Sequence, residues 1–286
     1  MKRLLDFLEM IKFQHTVFAL PFALTSAMVC ARFERVIWLD KLGWILLAMV
    51  GARSAAMGFN RIVDLRYDAL NPRTQNRELP TGKITVRQAS VLVAVAAALF
   101  VLAAYQLNTL AFVLSFPALF IILFYSYTKR FTSFCHLILG FGIGIAPFGA
   151  WIALTGRWAW QPLLLTVAVM FWVAGFDIIY ATLDEEFDKK MGLHSMVRRW
   201  GVACALRWAR WFHVLFFVAL IAFGAVTHLG SIYYIGVVAI GAFLAYEHAL
   251  VRPDDLRRVN MAFFTVNGVI SVTMLVVTAI DLMVHG

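Results

Sequence analysis

The sequence predicts an all-α integral membrane protein, and three observations support this. Hydrophobic residues make up 62% of the chain and charged residues only 14%, with a mean hydropathy of +0.82, whereas soluble domains carry roughly 25% charged residues. Apolar runs long enough to span a bilayer recur along the chain. The charges are concentrated in the segments between these runs. This composition cannot supply the polar surface that a soluble fold of 286 residues needs.

Nine apolar runs are candidate membrane spans, because a helix needs ~20 mostly apolar residues to cross the hydrocarbon core. Glycine and proline inside these runs are tolerated in membrane bundles, where small residues allow close helix packing. We therefore predict about nine transmembrane helices in a single domain comprising residues 1–286. The runs are about 14–32, 41–60, 88–105, 108–127, 134–155, 160–182, 208–227, 231–250 and 261–283.

The N-terminal residues superficially resemble a secretory signal peptide. Asp6, Glu9 and Lys12 interrupt its start, and the apolar run from Thr16 to Ala31 is long for the core of a signal sequence. We therefore predict a short amphipathic segment at the membrane interface, followed by the first spanning helix. Cleavage is the less favoured alternative.

The segments between the spans differ sharply in basic content, which predicts their orientation. One set, with the adjoining helix ends, holds 20 of the 25 Lys and Arg residues. Cytoplasmic segments are enriched in Lys and Arg, so this set is predicted to be cytoplasmic. The protein would then lie in the inner (cytoplasmic) membrane with its N-terminus on the cytoplasmic side. The net charge of +9 therefore reflects topology and the lipid bilayer as partner, not binding to nucleic acid. This set comprises the N-terminus, 61–87, 128–133, 183–207 and 251–260.

Two of these cytoplasmic segments are long, and each contains an acid pair four residues apart. The pairs are Asp64 with Asp68 and Asp184 with Asp188. Residues four apart share one face of a helix. Each pair has further polar residues on the predicted extension of that face, and both segments are therefore predicted to be functional. The additional residues are Arg53 and Asn60 for the first pair, and Asp177 and Tyr180 for the second.

Four facing carboxylates predict a divalent cation and an anionic ligand. Charged groups at membrane depth need partners, and carboxylate oxygens suit hard cations such as Mg²⁺, which binds one or two carboxylates together with substrate phosphates. The neighbouring arginines and lysines indicate that the ligand is itself anionic. A diphosphate bridged by Mg²⁺ satisfies both requirements. One such pair alone would favour a solvated surface, but two copies at matching helix ends argue against it.

A third basic element, "FYSYTKRFT", ends the fourth predicted span. Tyr125 and Lys129 are four residues apart, so both would lie on one helical face near the level of the acids. Lys129 and Arg130 are also consistent with simple topology signalling by basic residues at a helix end.

Taken together, these motifs resemble those of the UbiA superfamily of intramembrane aromatic prenyltransferases. Its first motif, N-D-x-x-D-x-x-x-D, reads "NRIVDLRYD" from Asn60 to Asp68, with Arg61 in place of the second acid, a variant associated with the hydroxybenzoate-type branch. The second motif, D-x-x-x-D, matches Asp184 to Asp188. The family's Y-x-x-x-K motif matches Tyr125 to Lys129. The resemblance runs over nearly the whole chain.

The resemblance implies nine transmembrane helices around a central cavity that opens laterally to lipid, with a cytoplasmic cap built from the two long loops. It also implies Mg²⁺-dependent transfer of a polyprenyl group from a polyprenyl diphosphate to a hydroxy-aromatic acid, near the cytoplasmic face. The acceptor is left open between 4-hydroxybenzoate and a hydroxynaphthoate. The product would be a ubiquinone or menaquinone precursor.

The expected residue roles follow from this assignment. An allylic C–O bond breaks, Mg²⁺ and basic side chains stabilise the diphosphate, and an aromatic ring attacks the cation. Asp188 is a candidate base for the phenol. Tyr125 and Tyr180 are expected to shield the cation with their ring faces, although core packing explains them equally well. The predicted Mg²⁺ ligands are Asp64, Asp68, Asp184 and Asp188. The predicted diphosphate contacts are Arg53, Asn60, Arg77, Lys129 and Arg130.

Two other classes of membrane protein fit the sequence less well. A transporter or ion channel would explain Arg53 and Asp177 inside the membrane, but not the paired acids and arginines in two long loops. A CDP-alcohol phosphotransferase would need one denser acidic motif, which the sequence does not contain.

Overall fold

The computed structural model describes Met10 and residues 18–285, and it is a bundle of helices. The described residues contain no β-strand, and their only β-type pairing is one bridge between Arg252 and Asp255. The all-α prediction is confirmed. The predicted amphipathic segment and the start of the first predicted span lie outside the described residues.

The helices follow the predicted order along the chain. A 3₁₀ turn at Thr182–Asp184 leads into α8, and a π-helix at Met261–Val266 leads into α11. The helices are α1 (Leu20–Glu34), α2 (Leu39–Val63), α3 (Leu65–Asp68), α4 (Val86–Leu107), α5 (Thr109–Thr128), α6 (Cys135–Thr155), α7 (Gln161–Ala181), α8 (Glu185–Met191), α9 (Met196–Val226), α10 (Ser231–Leu250) and α11 (Asn267–Val284).

Eight helical segments among the described residues are long and apolar enough to cross a membrane. Eight of the nine predicted runs coincide with these segments, and the ninth, 14–32, overlaps the shorter helix α1. Most boundaries agree with the predicted ones within two or three residues. The orientation of the bundle relative to a bilayer stays a prediction.

Helix α7 forms the centre of the bundle, packed between α6 and α9. Its buried side chains include Trp172, which is fully inaccessible. Glycines on α6 allow this packing: a Cβ added to Gly144 would lie 2.6 Å from the carbonyl oxygen of Thr166, and Gly140 meets the backbone of Met170 in the same way. The two backbones are therefore in direct contact, as small residues permit in membrane bundles.

A buried polar cluster joins α7 to the last two helices. The indole N–H of Trp172 donates to Asn267 Oδ1 at 2.7 Å, and Asn267 Nδ2 donates to Glu247 Oε1 at 2.8 Å. Asn267 and Glu247 are both fully inaccessible. Because a polar group in hydrocarbon needs a partner, these hydrogen bonds favour one arrangement of α7, α10 and α11.

Residues 183–207, which were predicted to form a loop because of their charge, are mostly helical. Gly192, at φ 72°, ends α8, and Ser195 Oγ accepts a hydrogen bond from the backbone N–H of Arg198 at 3.1 Å to begin α9. Helix α9 then continues through Gly201, whose φ of 74° and ψ of 163° kink it. Left-handed glycine and a serine N-cap are ordinary helix-end signals, so the charged segment folds as two short helical pieces.

Replacing Gly144 with Leu is expected to destabilise the bundle, because the new side chain would collide with the α7 backbone. Overpacking costs about 1–3 kcal/mol when side chains can shift, and backbone cannot shift as far. The apparent melting temperature in detergent measures the effect. Gly149→Leu is the matched control, since a Cβ at Gly149 has nothing within 4 Å. Equal melting temperatures for the two variants would contradict the close α6–α7 contact.

Candidate active site

Three segments that are distant in sequence meet at one end of the bundle. They are the end of α2 with the following turn, the end of α5, and the segment from Thr182 through α8. Arg73 of the first lies 2.5 Å from Asp184 of the third, and Lys129 of the second lies 2.9 Å from Asp188. Arg130 lies 3.4 Å from Asp64. The structure thus brings both acid pairs and the Y-x-x-x-K element into one cluster.

The first acid pair lies on a nearly continuous helical path. Asp64 ends α2, and the backbone N–H of Asp68 donates to the carbonyl of Asp64 at 2.8 Å, so the helical register passes from α2 into α3. Asn60 Nδ2 donates to Asp64 Oδ2 at 3.0 Å. Arg77 Nη1 donates to Asp68 Oδ1 at 2.7 Å. Asn60, Asp64 and Asp68 therefore share one face, as their spacing predicts.

The second acid pair is held more tightly. Asp184 accepts a two-point contact from Arg73, at 3.1 Å from Nε and 2.5 Å from Nη2, and a further bond from Asn71 Nδ2 at 3.1 Å. Asp188 is fully inaccessible and forms its ion pair with Lys129. Neither Asp188 oxygen has a well-directed hydrogen bond among the described residues. Asp188 therefore keeps unused acceptor capacity inside the cluster.

The electrostatics of the cluster are those of mutually dependent charges. Burial raises the pKa of the Asp64 carboxyl, and the neighbouring Asp68 raises it further, while Arg130 opposes both. Burial alone would lower the pKa of Lys129, but the Asp188 carboxylate outweighs that cost and holds the pKa above its ordinary value. A second positive charge close to Asp64 and Asp68 would stabilise both anions.

The donor set fits a hard divalent cation, although the four carboxylates do not converge on one point. Among the residues that the structure describes, no three acidic, His or Cys side chains are close enough to form a metal site. Each aspartate instead contacts a basic side chain. Mg²⁺ needs only one or two carboxylates when substrate phosphates and water complete its octahedron. The raised pKa of Asp64 and the unused oxygens of Asp188 are consistent with that role.

The two predicted tyrosines occupy different positions. The hydroxyl of Tyr180 accepts a hydrogen bond from Arg73 Nη1 at 2.8 Å, and its ring lies 4.2 Å from that of Phe263, centroid to centroid. Tyr125 is one turn before Lys129 and lies within electrostatic range of Arg53 and Asp64. Tyr180 therefore borders the cluster directly, whereas Tyr125 and Arg53 lie deeper in the bundle.

Sequence reasoning missed Arg73 and Asn71, which join the first segment to the second acid pair. Arg73 is held between the carboxylate of Asp184 and the ring of Tyr180, with its guanidinium carbon 5.0 Å from the ring centroid. The signal was the tripeptide Asn71-Pro72-Arg73, three residues after Asp68. Its partner lies 111 residues away in sequence, so no local pattern identifies it.

Comparison with known proteins places this chain in a family. The sequence model of the UbiA prenyltransferase family matches residues 19–269. The chain belongs to the UbiA prenyltransferase family. As a family member it is a prenyltransferase and a multi-pass membrane protein, and the predicted resemblance is confirmed.

Relatives and solved structures of this family match about four-fifths or more of the chain. A 4-hydroxybenzoate octaprenyltransferase from Nitrosospira multiformis is 31% identical over 243 residues, which cover 82% of this chain and 81% of that one. A counterpart from Methylobacillus flagellatus is 30% identical over 236 residues, with 79% of each covered. The apo structure of a UbiA homologue from Aeropyrum pernix is 33% identical, with a TM-score of 0.85 over 94% of this chain and 98% of its own.

A more distant UbiA homologue, from Archaeoglobus fulgidus, was solved bound to GPP and Mg²⁺. It is 21% identical and superposes with a TM-score of 0.73, covering 97% of this chain and 99% of its own. At 21% identity, this similarity shows that our protein and the Archaeoglobus homologue share a fold.

Replacing Arg73 with Ala in this UbiA prenyltransferase is expected to loosen the turn after α3. Hydrogen bonds to charged groups contribute ~1.5–3 kcal/mol, so the backbone amides of residues 69–82 should exchange with solvent deuterium about tenfold faster or more. Hydrogen exchange followed by mass spectrometry measures this. Arg66→Ala is the control, because Arg66 contacts its own neighbour Tyr67. Unchanged exchange after Arg73→Ala would contradict the bridging role of Arg73.

Proposed function

We propose that the protein transfers a polyprenyl group from a polyprenyl diphosphate to a hydroxy-aromatic acid in a Mg²⁺-dependent reaction. The observation that carries this proposal is the pairing of four aspartates with basic side chains at one end of an apolar bundle. In the cluster each aspartate is balanced by a basic neighbour. A diphosphate with Mg²⁺ has the same two kinds of charge, so it can replace both kinds of partner at once.

Binding in this scheme is an exchange of partners. The four aspartates would hold the metal, and the basic side chains that now pair with them would contact phosphate oxygens. Arginine is suited to that change because its planar guanidinium contacts carboxylate and phosphate in the same two-point geometry. We also propose Arg73 as a diphosphate ligand, since its present partner Asp184 is a proposed metal ligand. It joins the predicted contacts Arg53, Asn60, Arg77, Lys129 and Arg130.

The proposed chemistry breaks the allylic C–O bond and forms a bond to the aromatic ring. Mg²⁺, when bound, supplies positive charge to the departing diphosphate. The basic side chains stabilise the same developing charge. Tyr180, whose ring borders the cluster, can face the allylic cation. The apolar bundle holds the isoprenoid chain and excludes water, which would otherwise capture the cation.

We propose 4-hydroxybenzoate as the acceptor and a location for the site near the cytoplasmic face of the membrane. The relatives from Nitrosospira and Methylobacillus are named for 4-hydroxybenzoate, which favours that acid over a hydroxynaphthoate. A prenylated 4-hydroxybenzoate would be a ubiquinone precursor, and a prenylated hydroxynaphthoate a menaquinone precursor. The excess of basic residues at this end of the bundle supports a site near the cytoplasmic face of the inner membrane, with the N-terminus cytoplasmic.

Replacing Asp64 or Asp184 with Ala is expected to lower Mg²⁺-dependent prenyl transfer by about 10²-fold or more, because each change removes a charge that holds the metal. Labelled polyprenyl diphosphate, Mg²⁺ and a panel of hydroxy-aromatic acids measure the activity and identify the acceptor. Asp255→Ala is the control, since Asp255 pairs with its exposed neighbour Arg257 in the segment after α10. A correctly folded Asp64→Ala variant with wild-type activity would refute the metal assignment.

Replacing Arg53 with Ala should raise the KM for polyprenyl diphosphate more than it lowers kcat, because Arg53 is proposed to contact the diphosphate and not the reacting ring. Steady-state kinetics with the diphosphate as varied substrate give both constants. Arg157→Ala is the matched control, because Arg157 forms an exposed pair with Glu34 at the opposite end of the bundle. If KM and kcat both stay at wild-type values, Arg53 has a structural role instead.

A further inference from the structure

An acid–histidine pair lies inside the bundle, two helical turns from the second acid pair. His136 Nδ1 is 2.6 Å from Asp177 Oδ2. The backbone N–H of Met196 donates to His136 Nε2 at 3.4 Å. Because Nε2 accepts a hydrogen bond, the proton of the neutral ring is assigned to Nδ1, which then donates to Asp177. The buried imidazole therefore fixes the direction of the Asp177 carboxylate.

Asp177 lies on the same face of α7 as Tyr180, which contacts the active-site cluster. Between Trp172 and Ala181, every residue of α7 is buried except Asp177 and Tyr180. These two are three residues apart and so lie on one face of the helix. Tyr180 contacts Arg73 and packs on Phe263, so this face belongs to the site. The Asp177 side chain keeps 25% of its surface accessible there, against 2% for His136.

Asp177 lies deeper in the bundle than the second acid pair, at a depth that suits the reacting carbon. Asp177 precedes Asp184 by seven residues, which places it about 10 Å further into the bundle at ~1.5 Å per residue. A diphosphate bound at the acid pairs directs its allylic carbon into the apolar bundle, and the acceptor ring must lie beside that carbon. Asp188 is less suited to act on the acceptor, because it is fully buried and paired with Lys129.

We propose that Asp177, oriented by His136, takes the phenolic proton of the aromatic acceptor during prenyl transfer; this rests on the proposed function. The allylic C–O bond breaks and its electron pair leaves with the diphosphate. The ring carbon ortho to the phenol oxygen bonds to the allylic carbon while the O–H proton passes to Asp177, giving a dienone. The ring C–H proton then passes to the diphosphate, and Asp177 returns its proton to the oxygen, which restores the aromatic phenol.

The test replaces Asp177 with Asn and varies the acidity of the acceptor. General-base catalysis contributes about 10²–10⁴-fold, so Asp177→Asn should lower kcat with 4-hydroxybenzoate by that order. The KM for polyprenyl diphosphate should stay unchanged. A fluorine ortho to the phenol oxygen makes the phenol of 4-hydroxybenzoate more acidic, so the reaction depends less on a base. With this acceptor, the ratio of wild-type to variant kcat should fall roughly fivefold or more.

His136 supplies a second pair of variants that leave Asp177 in place. His136→Asn keeps an N–H donor near the Nδ1 position, and His136→Ala removes it. As a positioning residue, His136 should affect kcat and not the KM for polyprenyl diphosphate, with His136→Asn retaining several-fold more activity than His136→Ala. Glu247→Gln is the control for changing a bundle carboxyl to an amide, because Glu247 lies in the separate cluster with Asn267.

The outcomes separate this inference from the proposed function. If wild-type protein transfers no prenyl group to any hydroxy-aromatic acid, the proposed function itself fails. In a second outcome, the wild-type protein is active and Asp177→Asn still binds Mg²⁺ and polyprenyl diphosphate. If that variant then keeps full kcat, or loses the same factor with every acceptor, Asp177 is not the base. If Asp177→Asn does not fold, equal kcat for His136→Asn and His136→Ala overturns the inference, and the expected difference supports it.

Discussion

Charge balance within an apolar bundle is the constraint on which the rest of this structure depends. A carboxylate or guanidinium in such surroundings must find a partner, because hydrocarbon offers none. Here the partners come from segments far apart in sequence: Arg73 meets Asp184, and Lys129 meets Asp188. The same ion pairs therefore close the bundle at one end and hold the groups that a metal-bound diphosphate would contact. Stability of the bundle and the proposed binding of substrate have one physical origin.

This pairing also explains how so many charged side chains can lie close together. An uncompensated group of four carboxylates would repel itself, and an uncompensated group of arginines would do the same. Interleaving the two kinds of charge removes both penalties. In the proposed function, substrate binding would exchange one set of ion pairs for another, so the new contacts would offset the electrostatic cost of opening the cluster.

Much of the fold could be predicted because its signals are local. Apolar length predicted α4, α5 and α10 within about two residues, and the four-residue spacing placed Asp64 and Asp68 on one face. The contacts that the sequence did not predict are non-local, and the helices that it did not predict carry a second, conflicting signal. Arg73 has no local partner, and His136 meets Asp177 only through packing of α6 on α7. The helices within 183–207 had their cap residues in the sequence, but the density of charge favoured a loop.

The close contact between α6 and α7 has a consequence for how substrates reach the site. At Gly140 and Gly144 the two backbones approach so nearly that not even a methyl group fits between them. An isoprenoid chain is far wider than a methyl group. This seam is therefore a closed wall of the bundle, and a lipid-borne substrate has to enter between other helices. By closing this seam, the two glycines leave the contacts between other helices as the routes from the membrane to the proposed site.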